Sequence, residues 1–207
     1  MKQQRPTVFV VDDEAPVRKA LFRLLNSAAI EVAVFASPAE FLAARDPAAP
    51  GCLLLDLEMP ELNGLELQQQ LGGRDGMLPI IFLTGHADIP ITVEAMKAGA
   101  ADFLTKPVRD DVLLAAVRAA FEKDRAARLV RTERDEIASR LATLTPRERE
   151  VLEHVVTGLL NKQIAAALGT AEQTIKVHRA RVMEKMKVQS VAELVRVVDR
   201  VREGALN

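Results

Sequence analysis

Five side chains that could carry out chemistry stand directly after short apolar runs in the first half of the chain. Asp12 and Asp13 follow the first run, Asp56 ends the third, and Thr84 and Lys106 end the fourth and fifth. If these runs are parallel strands, their carboxyl ends share one edge of a sheet, where open α/β folds bind their ligands. Residues spread over about ninety positions would then meet in a single cleft.

The residue types in this cleft suit the handling of a phosphoryl group. Three convergent carboxylates repel one another and favour a hard cation such as Mg²⁺, which binds oxygen ligands and leaves room for phosphate oxygens. Lys106 can neutralise phosphoryl oxygens as a point charge, and the Thr84 hydroxyl can donate to the same group. Asp56 is the best placed nucleophile for an aspartyl phosphate. For Asp56 alone, the alternative is a carboxylate that caps the turn after its strand.

Alternating strand and helix patterns must position these side chains. The apolar run before Asp56 is bounded by Gly51 and Pro60, which indicates a strand buried on both faces. Ser37 and Asn63 are each followed three residues later by an acid, which marks a helix start. The predicted fold is therefore α/β, with a five-stranded parallel sheet covered by helices on both faces. The predicted strands are 7–11, 31–35, 52–56, 80–83 and 102–105.

The order and spacing of these motifs resemble the receiver domain of two-component response regulators. The resemblance covers roughly Pro6 to Phe121 and rests on Asp12-Asp13, Asp56 with Met59-Pro60 and Gly64, Thr84-Gly85, Ala98-Gly99-Ala100 and Lys106-Pro107. It implies a flavodoxin-like sheet and a phosphoacceptor, Asp56, that receives its phosphoryl group from a histidine kinase.

A metal site is also implied by this resemblance. Mg²⁺ (or Mn²⁺) would be held by Asp13, Asp56 and the backbone carbonyl of Glu58. Asp12 would act mainly through water.

The resemblance further implies a switch around the phosphoryl group. Lys106 would pair with that group, and its peptide bond to Pro107 would be cis. Thr84 and Phe103 would form the switch pair, the hydroxyl moving to the phosphate and the ring turning inward behind it.

A second domain is predicted from Thr145-Pro146-Arg147-Glu148, a capping box with proline at the first helical position. Asn161 is predicted to cap a helix over 162–168, and Gly169 to make the following turn. Further helices are predicted over 172–186 and 188–201. Two short helices joined by a glycine-containing turn indicate a helix-turn-helix.

The helix predicted over 172–186 has one apolar and one polar face. Ile175, Val182 and Met186 have the spacing of core residues. The opposite face offers donors for phosphates and base edges, and small groups for thymine methyls. A solvated basic face is the alternative for this helix taken alone. The residues predicted to contact DNA are Gln173, Thr174, Lys176, Val177, His178, Arg179, Ala180, Arg181 and Lys162.

The segments LTPREREVL, NKQIA and TIKVHRAR, which begin at Leu144, Asn161 and Thr174, are similar to the LuxR-type helix-turn-helix. With the receiver, the whole chain resembles the NarL/FixJ class of response regulators, and its FixJ branch most. Two positions depart from the pattern, because Leu160 and Ala171 stand where the family often has serine. Thr170 could cap the third helix one residue earlier.

The stretch between the two domains is dense in Ala, Arg and Glu without Gly or Pro, which favours a long helix. Val130, Ile137 and Leu144 recur every seven residues and suggest a short coiled-coil seam, and a solvated single helix is the alternative. The predicted domains are a receiver over 1–121, a helical linker over 122–140 and a DNA-binding domain over 141–207. Residues 1–119 carry 11 basic and 16 acidic side chains and residues 141–207 carry 11 and 8, so different partners are expected.

These observations predict a transcription regulator that is activated by phosphorylation of Asp56, forms a homodimer and binds double-stranded promoter DNA, with RNA polymerase as a further partner. It is expected to catalyse only its own phosphorylation and slow dephosphorylation. A lone cysteine and the lack of a long apolar run favour a cytoplasmic protein without a membrane partner. The alternatives are a phosphatase with an aspartate nucleophile, which would need a second Asp where Glu58 stands, and a regulator independent of phosphorylation.

Overall fold

The chain forms an α/β unit, Met1–Arg128, and a helical unit, Leu129–Asn207, in the computed structural model. The structure describes residues 5–60, 62–74, 78–85 and 88–203. Within these ranges no helix combines the length and the apolar character needed to cross a membrane.

A parallel sheet of five strands forms the centre of the α/β unit. Its strands lie in the order β2-β1-β3-β4-β5, and every neighbouring pair is parallel. The predicted fold class is confirmed, and each predicted strand falls on an observed one. The strands are β1 Thr7–Val11, β2 Glu31–Phe35, β3 Gly51–Asp56, β4 Ile80–Thr84 and β5 Asp102–Thr105.

Helices cover both faces of this sheet and create two apolar cores. Phe9, Leu53 and Leu55 belong to one core, while Val8 and Leu54 belong to the other, as the alternation of side chains along a strand requires. The β3 strand is buried along its whole length, which confirms a strand covered on both faces. The helices are α1 Ala15–Ser27, α2 Pro38–Ala44, α3 Gly64–Arg74, α4 Ile89–Lys97 and α5 Asp110–Ala142.

The helix starts predicted at Ser37 and Asn63 are confirmed by their hydrogen bonds. The Glu40 amide donates to Ser37 Oγ at 3.2 Å, and the Ala36 amide donates to the Glu40 carboxylate. The Glu66 amide donates to Asn63 Oδ1 at 2.9 Å, and the Asn63 amide donates to Glu66 Oε2 at 3.0 Å. These bonds satisfy amides that a helix start leaves without partners.

Four further helices and the end of α5 build the helical unit. Ile137 on α5 and Leu144 after it are buried in its apolar core, whereas Val130 is 56% exposed. Two of the three heptad positions therefore pack within the helical unit, and a coiled-coil seam between two chains stays a prediction. The remaining helices are α6 Pro146–Val156, α7 Asn161–Ala167, α8 Glu172–Met186 and α9 Val191–Glu203.

Two predicted helix starts in this unit are wrong, whereas α8 begins at Glu172 as predicted. The N-cap of α7 is Leu160 rather than Asn161, because the Leu160 amide donates to the Gln163 side chain at 2.8 Å. The N-cap of α8 is Ala171, without a side-chain bond, so Thr170 does not cap it. α9 begins at Val191 rather than 188, because Lys187 takes a left-handed conformation that ends α8.

Candidate functional sites

The carboxyl ends of β1 and β3 bring three carboxylates together. Oxygen atoms of Asp12, Asp13 and Asp56 all lie within 4.8 Å of one another. Asp12 and Asp56 are buried and Asp13 is exposed, so the cluster opens to solvent on one side. Val11 of β1 pairs with Leu55 of β3, so Asp12 and Asp56, the next residues of the two chain segments, lie side by side.

Lys106 adds a positive charge to this cluster from the end of β5. Its Nζ lies 2.7 Å from Asp12 Oδ2 and 3.3 Å from Asp56 Oδ1. The Lys106 amide donates to the Thr84 carbonyl at 2.7 Å, which ties the loop after β5 to the end of β4. The peptide bond between Lys106 and Pro107 is cis, as the resemblance predicts.

Burial and neighbouring charges shift the pKa values of Asp56 and Lys106. Burial raises the pKa of Asp56, and the nearby charge of Asp12 adds to this, although Lys106 opposes it. Burial pulls the pKa of Lys106 down, but its hydrogen bond to Asp12 and the charges of Asp12 and Asp56 outweigh burial and raise it. Lys106 is therefore protonated at neutral pH and offsets part of the repulsion between the carboxylates.

Asp12 is held by more contacts than the sequence indicates. Its Oδ1 accepts a hydrogen bond from the Glu14 amide at 2.8 Å, while Lys106 occupies Oδ2. Its backbone carbonyl accepts from Nη1 of Arg18 at 2.6 Å. Arg18 was missed by the sequence reasoning, and its place one turn into the helix after Asp12 is the only signal that could have indicated it. The result is a fixed carboxylate that holds Lys106 beside Asp56.

Gly64 lets the start of α3 lie directly against the backbone of Asp56. A Cβ atom at this position would stand 2.6 Å from the Asp56 carbonyl oxygen and 2.9 Å from a ring carbon of Phe82. The Gly64 amide donates to the Leu57 carbonyl at 3.1 Å. The close approach explains physically why the sequence has glycine here.

The two residues of the predicted switch lie on neighbouring strands. Thr84 is fully buried at the end of β4, and Phe103 on β5 is partly buried against the apolar core. Phe103 pairs in register with Phe82, and their ring centroids are 6.0 Å apart.

The donor set of the cleft fits a hard divalent cation. It consists of three carboxylates without histidine or cysteine, which is the oxygen-only chemistry that Mg²⁺ prefers. Glu58, whose carbonyl was predicted as a further ligand, follows two residues after Asp56 and has an exposed side chain.

The predicted DNA-contacting residues divide into two groups on the helical unit. His178 and Arg179 are partly buried, because they lie three and four residues after buried Ile175 and before buried Val182. The others are exposed and form the candidate DNA surface: Lys162 on α7, and Gln173, Thr174, Lys176, Val177, Ala180 and Arg181 on α8.

An ion pair between the partly exposed Lys185 and the buried Glu148 fixes the C-terminal end of α8 within the unit. Lys185 Nζ lies 2.6 Å from Glu148 Oε2 and also donates to the Thr143 carbonyl at 3.0 Å. Glu148 completes the capping box with Thr145 that the sequence predicts. The hydrogen bonds from Lys185 and from the Thr145 amide lower the pKa of Glu148 to about 2.

Two family models match the two units. The response regulator receiver domain matches residues 8–118, and the luxR family of bacterial regulatory proteins matches residues 142–198. The chain belongs to the response regulators. The predicted family is confirmed, and the two matched domains make the protein a DNA-binding transcription regulator with a receiver. A receiver implies a histidine kinase as partner, and receivers bind Mg²⁺ at their acidic pocket.

Several named relatives are similar to this chain over most of their length. Nodulation protein W of Bradyrhizobium diazoefficiens is 48% identical over 190 residues, which are 92% of this chain and 84% of that protein. Transcriptional regulatory protein FixJ of Rhizobium meliloti is 46% identical over 191 residues, with 92% and 94% covered. The low-resolution structure of response regulator StyR is 46% identical with a TM-score of 0.85, and covers 95% of this chain and 99% of that one.

Proposed function

We propose that Asp56 is the phosphoacceptor and that its phosphorylation controls DNA binding by this regulator. The observation that carries the proposal is the position of Lys106, whose Nζ bridges Asp12 and Asp56 at 2.7 and 3.3 Å. A cation so placed can neutralise phosphoryl oxygens that arrive at Asp56. Within the described ranges, this lysine stands beside the one cluster of three carboxylates that could hold a metal ion.

In the proposed reaction, a carboxylate oxygen of Asp56 attacks phosphorus and the bond from phosphorus to the donor breaks. The electron pair of that bond leaves with the donor, which is a histidine nitrogen in the kinase. Lys106 and the Thr84 hydroxyl would pair with the transferred oxygens. Mg²⁺ (or Mn²⁺), held by Asp13, Asp56 and the Glu58 carbonyl, would neutralise their charge, with Asp12 acting through water. The receiver would itself catalyse this transfer, and also the slow hydrolysis in which water attacks the aspartyl phosphate, inorganic phosphate is released and the Asp56 carboxylate is restored.

Dimer formation is the proposed consequence. α4 exposes Ile89, Val93 and Met96, of which Ile89 is 78% exposed, and these residues follow one helical face. Repacking of Phe103 behind the moving Thr84 would alter this surface and favour a homodimer. The dimer would present two copies of α8 to a two-fold promoter site in the cytoplasm and act on RNA polymerase.

The test compares the parent with Asp56→Asn, and uses Asp46→Asn as the matched control because Asp46 is exposed and lies outside the cleft. Acetyl phosphate with Mg²⁺ should add one phosphoryl group to the parent and to Asp46→Asn. The molecular mass of both proteins in solution should then rise to that of a dimer, and both should bind DNA more tightly. Asp56→Asn should show none of these responses. Equal responses in all three proteins would overturn the proposal, and steady release of phosphate from phosphomonoesters would support a phosphatase instead.

A further inference from the structure

The recognition helix α8 carries two polar side chains on its inward flank. Ile175, His178, Arg179 and Val182 follow one another at spacings of three, one and three, which places them on one side of a helix. Ile175 and Val182 are fully buried. The Nδ1 atom of His178 is buried and has no hydrogen-bond partner among the described residues. Arg179 is therefore oriented differently from the exposed basic residues Lys176 and Arg181.

The guanidinium of Arg179 makes a hydrogen bond within the helical unit. Its Nη1 donates to Oδ1 of Asn161 at 2.9 Å, and both residues are partly buried. Asn161 is the first residue of α7, and its side chain is available for this bond because the Gln163 side chain takes the Leu160 amide instead. The bond thus joins the middle of the recognition helix to the start of the preceding helix.

The other end of α7 is held by a second arginine. Arg147 at the start of α6 donates from Nη2 to the Leu168 carbonyl at 2.7 Å, directly before the turn at Gly169. α7 is therefore fixed at its first residue to α8 and at its last turn to α6.

We propose that Arg179 is a positioning residue that acts through Asn161 and not a ligand of a DNA phosphate. The bond to Asn161 sets the orientation of α8 against α7, and so places Lys162 on one helix and Lys176 and Arg181 on the other at the distances that DNA requires. Because the guanidinium is directed toward α7, it releases no counterion when DNA binds. The inference rests on DNA binding by the helical unit and is independent of the proposed phosphorylation of Asp56.

The salt dependence of DNA binding separates the two roles. A residue that neutralises a phosphate contributes about one unit to the slope of log affinity against log salt concentration. A residue that only orients the helix changes affinity and leaves the slope unchanged. The Arg179→Met variant keeps the apolar stem and removes the donors, and Asn161→Ala removes only the acceptor.

The experiment measures the full-length unphosphorylated chain on a duplex selected by the parent from a random-sequence library, at several salt concentrations. Arg179→Met and Asn161→Ala should each weaken binding by the same factor, because each removes the bond that orients α8 against α7. The double variant should lose no more than either single variant, since both remove the same bond. Arg179→Lys should recover part of the affinity. Arg181→Met, the matched control, should reduce the slope by about one unit.

Two outcomes would overturn the proposal. The first is a slope reduced by about one unit in Arg179→Met together with full affinity in Asn161→Ala, which would make Arg179 a phosphate ligand. The second is a thermal midpoint of unfolding that falls in parallel with DNA affinity in both variants. This would show that the bond stabilises the fold and has no separate role in placing α8 on DNA. Unchanged midpoints with unchanged slopes and weaker binding support a positioning role.

Discussion

Arg128 and Asp124 form an ion pair one turn apart on α5, in which Nε of Arg128 donates a bifurcated hydrogen bond to both carboxylate oxygens of Asp124 at 2.8 Å. The Gly51 amide donates to the same carboxylate at 3.0 Å. Arg128 also donates to the carbonyls of Ala48 and Ala49 at 2.8 and 2.7 Å. The pair therefore joins α5 to the start of β3, at the edge of the sheet opposite the carboxylate cluster.

Replacement of Asp124 by alanine should destabilise the α/β unit. The side chain of Asp124 is 3% exposed, and its removal leaves Arg128 without its carboxylate and the Gly51 amide without an acceptor. A buried pair broken on one side costs roughly 3 kcal/mol in the free energy of unfolding. Hydrogen exchange of the Gly51 amide should accelerate accordingly. The control is Arg125→Met, because the contact of Arg125 with Glu122 is exposed and 3.9 Å long. An equal loss in both variants would contradict this prediction.

Acid should destabilise the helical unit through Glu148. Its pKa is about 2 in the folded protein against an ordinary value of 4.5, so its contribution is complete above about pH 4.5 and is lost as the pH falls toward 2. Glu148→Gln should cost about 1.5 kcal/mol at pH 7 and flatten this acid dependence. Denaturation at a series of pH values measures the free energy of unfolding and checks this prediction. Glu150→Gln, which removes an exposed partner of Arg147, should leave the loss of stability at acid pH unchanged.

Alanine at position 64 should distort the backbone of the phosphoacceptor. The new Cβ would meet the Asp56 carbonyl oxygen at 2.6 Å, so the start of α3 has to move. We expect a loss of about 1–3 kcal/mol in the free energy of unfolding and slower phosphorylation by acetyl phosphate. On the same helix, a methyl group at Gly72 would meet nothing within 4 Å, and Gly72→Ala should stabilise the protein by up to about 1 kcal/mol. Similar losses at both positions would show that the close contact has no effect.

Truncation of Ile137 should destabilise the helical unit although the residue lies on α5. Ile137 is 3% exposed and packs in the core of that unit. Ile137→Ala should cost about 2–4 kcal/mol, measured by denaturation of the full chain. Val130→Ala, one heptad earlier and 56% exposed, should change the free energy of unfolding by less than about 0.5 kcal/mol. Equal effects would indicate that the heptad pattern, rather than burial, decides stability here.

The sequence predicts the α/β fold and the cleft well because both follow from local patterns. Apolar runs of four residues that lead into Asp12, Asp56 and Thr84 determine the strands, and parallel pairing then brings their ends together. No long-range information is needed for this step.

Contacts between distant segments are what the sequence does not predict. Asp124 bonds to Gly51, which lies 73 positions away, and Arg179 bonds to Asn161 across 18 positions. A local pattern indicates that Asn161 is a good capping residue, but the competing Gln163 side chain and the distant arginine decide its actual partner. Ile137 fits a heptad equally well whether its partner is another chain or its own helical unit.

The buried residues of α5 also bear on the exchange of units between regulators. The two matched families leave residues 119–141 unassigned, yet Asp124, Arg128 and Ile137 in that interval are each bonded or packed within one of the units. Glu133, which pairs with Arg200 on α9, belongs to the helical side. A chimera joined at a family boundary would therefore lose these folding contacts, whereas a junction between Arg128 and Glu133 would keep each of them within one parent.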